Sequence, residues 1–127
     1  MEAKYFRRWI AYQKAFSLAN AIYQITKSFP AEEQFGLTNQ VRRSSRSVCS
    51  NLAEAFGKRR YEKHFIAKIT DAYSENAETQ AWLDFAQSQG HLPGDRYEEL
   101  ILLAEEVAKL LHYMEFNAKK FTHNTSR

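Results

Sequence analysis

The feature that most constrains this 127-residue chain is the placement of its helix breakers. All four glycines (Gly36, Gly57, Gly90, Gly94) and both prolines (Pro30, Pro93) fall in three short stretches. Such residues punctuate chains at turns, and between them lie four long segments that contain neither.

Each segment has the apolar period of a helix. The first, residues 10–29, carries Ala11, Ala15, Leu18, Ile22, Ile25 and Phe29 at spacings of three and four, which keeps one face dry. Pro30 should end it, because the residue before a proline is pushed out of the helical region. The second, residues 38–56, opens at Thr38, whose hydroxyl can cap free amides, and aligns Leu37, Val41, Ser45, Val48, Leu52 and Ala55. The third, residues 61–89, aligns Phe65, Ile69, Ala72, Asn76, Thr79, Leu83 and Ala86. The fourth, residues 95–121, begins with Asp95 and Glu98 at capping-box spacing and runs through Leu100, Leu103, Val107, Leu110, Met114 and Phe121. Residues 122–127 are polar and expected to fray.

Four amphipathic helices with short connections, and no convincing strand, predict an all-α fold. The expectation is one antiparallel up-down-up-down four-helix bundle domain spanning 1–127. Length is no obstacle, since a chain of this size can bury a core without disulfides or metals. The single cysteine, Cys49, cannot form an internal disulfide, which fits a reducing compartment, and it reads as a half-buried helix side chain. The longest wholly apolar run, Leu100 to Ala104, is far too short to span a membrane, and Met1 to Ile10 is broken by charges unlike a signal peptide. A cytoplasmic protein without membrane contact is expected.

Several chemistries lack their residues. A carboxylate di-iron bundle needs Glu-x-x-His pairs, but Tyr61, Ser88, Lys109 and Lys120 stand three before the four histidines. There is no His-x-x-x-His for zinc, no phosphate loop, no dinucleotide fingerprint and no Gly-x-Ser-x-Gly elbow. The chain is therefore expected to be no enzyme, with no catalytic residue, metal, cofactor or small-molecule substrate.

Charge points elsewhere. The net charge is only +3, but between positions 42 and 63 stand Arg42, Arg43, Arg46, Lys58, Arg59, Arg60 and Lys63 against Glu54 and Glu62. On a helical wheel Arg42, Arg43 and Arg46 share an arc centred roughly 140° from the core stripe, so they face outward. Together the seven form a candidate surface for nucleic-acid phosphates. Two other readings compete with it: a merely solvated face, or pairing with the acidic stripe Asp71, Glu75 and Glu78 within a subunit or between subunits. Polar Asn51, Glu54, Asn76 and Thr79 are expected to bond to each other or to a facing helix and so fix register. Ile66, Tyr73, Trp82 and Phe85 are apolar bulk outside the core stripe of helix three, the candidate oligomer interface.

The order of residues also resembles a family. Tyr12-Gln13-Lys14-Ala15, Ile22-Tyr23, Phe29-Pro30, Gln40-Val41-Arg42-Arg43-Ser44-Ser45, Asn51-Leu52-Ala53-Glu54 and Glu75-x-x-Glu78-Thr79-x-x-Trp82-Leu83 are similar to the bacterial 23S rRNA intervening-sequence proteins, also called four helix bundle proteins. The likeness covers about Phe6 to Phe121. It departs at Ala55, where the family favours glycine, and at Ser44-Ser45, where two alanines are common. What it implies is a left-handed four-helix bundle that assembles as a homopentamer and has no established enzymatic activity. The functional expectation is an oligomeric RNA-binding or nucleoprotein-accessory module, with a structural or protein-interaction scaffold as the alternative.

Overall fold

The computed structural model describes residues 5–122; the remaining residues of the expected polar tail, 123–127, lie outside the described residues. Four helices form: α1 (Ile10–Thr26), α2 (Leu37–Gly57), α3 (Glu62–Ser88) and α4 (Gly94–Phe116). Short 3-10 turns flank them at Tyr5–Arg8, Ala31–Glu33 and Ala118–Lys120, and no strand occurs among the described residues.

Contacts between named pairs give the directions. Trp9 meets Phe56 and Tyr23 meets Arg42, so α1 and α2 run opposite ways. Glu54 pairs with Lys68 and Ser44 with Thr79, and next Asn76 meets Ala104 and Asp84 meets Tyr97. Lys14 bonds Glu106 at 3.0 Å and closes the ring of helices from α4 back to α1. Each neighbour is antiparallel, as a bundle with short connections requires.

The core stripes of α2 and α3 are buried at every expected position. The stripe of α4 is rotated: Ala104 and Leu111 are fully buried, while Leu103 and Leu110, expected in their place, are half-buried. Its apolar face is broad enough that adjacent positions, about 100° apart, compete for the core. Two packed clusters result. One, at the end where α1 begins, gathers Val48, Leu52, Phe65, Ile69, Val107 and Leu111; the other gathers Leu18, Ile22, Val41, Leu83 and Leu100.

The helix ends correct several sequence expectations. Helix α1 stops at Thr26, three residues early, because the amides of Lys27, Ser28 and Phe29 turn back to the carbonyls of Gln24, Ile25 and Thr26 in tighter i→i−3 bonds before Pro30. Thr38 does not cap α2; the helix starts at Leu37, whose amide donates to Glu33 Oε1 at 3.1 Å, and Thr38 is buried. The Asp95–Glu98 box does not form, since α4 starts at Gly94 and the Asp95 carboxylate accepts from the next amide, Arg96 N. At the other end, α4 breaks at Asn117, and Phe121 returns through a 3-10 turn to pack on Trp9 and Phe65.

Gly90 carries the turn from α3 to α4. Its φ of +79° places it in the left-handed region, while His91 N bonds Ala86 O at 2.8 Å and Gly90 N bonds Gln87 O at 3.1 Å. That paired geometry satisfies the last carbonyls of the helix and favours a residue without a Cβ.

Candidate functional site

The seven basic residues of the expected surface do not form one patch. Helices α1 and α3 flank α2 on opposite sides, and the arginine arc divides between them. Arg43 leans over α3 and pairs with Glu75 at 3.3 Å and with Glu78. The Glu78 hydrogen bond raises the pKa of its guanidinium further. Arg42 and Arg46 lie over α1 instead. Arg42 Nε donates to Thr26 Oγ1 at 2.8 Å, and its guanidinium sits 4.6 Å from the centre of the Tyr23 ring. Arg46 and Lys27 approach the same ring at 5.9 and 5.0 Å. Cations close to an aromatic ring are attracted by the negative quadrupole of its faces.

The remaining four cations stand at the far end of α2, twelve or more residues on from Arg46, or about 18 Å along the helix. Arg59 is packed over Phe56 at 3.4 Å, donates to Phe56 O, and has its pKa lowered by burial. Arg60 approaches Tyr61 at 6.0 Å, and Lys58 and Lys63 are exposed.

Between α1 and α2 runs a groove of about 460 Å³, lined by Tyr12, Phe16, Ala19, Asn20, Tyr23, Arg46 and Cys49. Its aromatic residues form a track. Phe6 meets Tyr12 edge-on at 4.9 Å, Tyr12 stacks with Phe16 at 5.8 Å, and Tyr23 stands two turns further along α1. Arg7 lies 4.6 Å over Phe6 at one end, with Lys27, Arg42 and Arg46 at the other. Phe16 is 52% exposed and Tyr23 38%. The groove is uncharged at its base: burial pushes the Cys49 thiol up to about 11, and burial with the nearby thiol raises the Tyr12 phenol. Helix α1 contains no acidic residue.

Sequence reasoning missed this track, which had a legible signal. Tyr12, Phe16 and Tyr23 fall within about 40° of one another on the helical wheel, a second stripe roughly 110° from the core stripe of α1.

A model of the family described as 23S rRNA-intervening sequence protein matches residues 7–113. The chain belongs to this family. Its fold is similar to that of a protein of unknown function from the S23 ribosomal protein family of Bacteroides thetaiotaomicron. The two are 25% identical, with a TM-score of 0.74, over 84% of this chain and 98% of that one. No curated protein matches the chain.

The polar residues of this intervening-sequence family member serve its packing. Asn76 Nδ2 donates to Ala104 O at 2.9 Å, and Thr79 shares a hydrogen bond with Ser44. Asn51 bonds Ser47 within its own helix, while Glu54 and Glu75 are drawn to Lys68 and Arg43 respectively. Among the described residues no group of three His, Cys, Asp or Glu side chains is placed to hold a metal. Of the candidate interface residues, Ile66 and Trp82 are half-buried against the chain's own core, and Trp82 Nε1 donates to Glu78 Oε2 at 3.0 Å. Tyr73 and Phe85 are exposed at 42% and 51%. No described helix is long and apolar enough to cross a membrane.

Proposed function

We propose that this chain is a non-catalytic RNA-binding module that works in the cytoplasm as a homo-oligomer, with a homopentamer as the expected assembly, and contacts RNA through the α1–α2 side of the bundle. The observation that supports this is the separation of charge between the two helical hairpins. Residues 5–61 carry ten basic side chains against three acidic, whereas residues 62–116 carry four against eleven. A net charge near zero thus conceals two opposed faces, and a polyanion would be attracted by one and repelled by the other. Arg43 belongs less to this surface than the other arginines, since two carboxylates of α3 already neutralise it.

RNA affinity measured against salt tests the reading. Binding that depends on phosphates weakens steeply as salt rises, and exchanging Lys27, Arg42 and Arg46 for glutamine should flatten the slope by about 2 for a single strand. No binding at low salt overturns the proposal. A scaffold reading draws support from Tyr73 and Phe85, exposed on α3 where a second protein surface would cover them. Sedimentation beside the RNA titration separates the two readings: if replacing both aromatics with serine dissociates the assembly while the wild type binds no RNA at low salt, the scaffold reading holds, whereas salt-dependent RNA binding by the wild type favours the RNA-binding reading.

A further inference from the structure

The α1–α2 side contains more than charge, and its groove has the makings of a site for one particular form of RNA. We propose that this groove is a subsite for an unpaired nucleotide of single-stranded RNA, with its base stacked on Phe16 and its phosphate held by Arg46. The inference rests on the RNA-binding reading and specifies which residues do what.

Four observations carry it. The groove, at about 460 Å³, falls within the range of small-ligand sites, and no carboxylate lines it. Phe16 is the half-exposed ring of the track, already stacked on Tyr12 from one side, so an incoming base extends an existing stack. Arg46 is the cation among the residues that line the groove; it has no ion pair with any described residue and makes only the long approach to Tyr23, whereas Arg42 lies outside the lining with its Nε held by Thr26 Oγ1. Asn20, exposed at the rim, offers both a donor and an acceptor to a base edge.

The chemistry selects for single strands. Stacking on an aromatic side chain tolerates any base but needs an exposed base face, which a duplex hides within its own stack. Phe16 of α1 and Arg46 of α2 line the groove from its two helices, so the base and the phosphate are held at separate points.

Fluorescence anisotropy of a labelled ten-nucleotide uridylate strand, with a duplex of equal length as comparison, tests this on the intact chain. Phe16→Ala should weaken the single strand about tenfold and leave the salt slope and duplex binding unchanged, since stacking releases no counterions. Phe16→Trp should restore affinity, which a merely structural role for Phe16 would not do. Equal single-strand affinity in wild type and Phe16→Ala, with steep salt dependence intact, overturns the subsite and leaves the RNA-binding reading standing. Absence of salt-dependent binding in the wild type overturns both. If Phe16→Ala instead dissociates the assembly with RNA affinity unchanged, a second copy of the chain occupies the groove and the subsite is refuted.

Discussion

Ser44 Oγ and Thr79 Oγ1 lie 2.8 Å apart, fully buried where α2 meets α3. The two hydroxyls are not equivalent. Thr79 Oγ1 also donates to Glu75 O at 2.9 Å, so it keeps a partner if Ser44 is lost. Ser44 has only Val41 O at 3.4 Å to fall back on. Thr79→Val therefore strands a buried donor and should cost about 1–3 kcal/mol, while Ser44→Ala should cost about 1 kcal/mol or less. In the double variant the alanine removes the stranded group and recovers part of the valine penalty. Urea denaturation of the three variants measures the asymmetry; equal single costs that add in the double variant would contradict it.

Glu78 links two parts of the same surface. Its carboxylate accepts from Trp82 Nε1 and pairs with Arg43; with the indole bond as the larger influence, these hold its pKa below the usual 4.5. A depressed folded pKa contributes stability at pH above about 4.5, and that stability is lost as pH falls through the lower folded value. The carboxylate is 37% exposed, so the effect is modest. Trp82→Phe removes the bond but retains much of the ring. The stability gap between this variant and the wild type should narrow as pH drops below 4.5. Urea midpoints collected from pH 7 to pH 3 check this, and a gap constant with pH would rule out the linkage.

The bundle was legible in the sequence because Gly and Pro placement and apolar spacing are local signals, and the α2 and α3 stripes lie where that spacing puts them. Less legible were the helix ends. Glu33 substitutes for Thr38 at the start of α2 because a carboxylate in the preceding turn reaches the Leu37 amide, and a short-range capping rule does not see that competitor. The functional surface divides for a similar reason. A helical wheel places Arg42, Arg43 and Arg46 in one arc, yet it does not say where along that arc one neighbouring helix gives way to another. Arg43 falls on the α3 side, within reach of two carboxylates, and Arg42 falls on the α1 side, over a tyrosine. The aromatic track was written at spacings of four and seven, but it needs α2 beside it before those rings border a groove.

Cys49 at the base of that groove should be a slow nucleophile. Burial pushes its thiol from the ordinary 9.0 to about 11, and the thiolate is the species that reacts. Below pH 9 the thiolate fraction is then about a hundredfold lower than for an unperturbed thiol. Alkylation by iodoacetamide should rise tenfold per pH unit through pH 10 without levelling near 9. A plateau near 9 would show that the thiol is solvated like an exposed one.

The split of the arginines gives the sharpest functional expectation. A cation neutralised within its own chain has few counterions to release, so Arg43→Gln should leave the salt slope of RNA binding nearly unchanged. Arg46→Gln should lower the slope by about 0.7, the share of one phosphate contact on a single strand. The two positions are three residues apart on one exposed face, so general changes in net charge or helix propensity are matched between the variants. Isotherms at four or five salt concentrations for each variant are sufficient. If Arg43→Gln alone flattens the slope, the pairs with Glu75 and Glu78 must open to admit phosphate, and the RNA surface belongs on the α2–α3 seam instead of the α1–α2 groove.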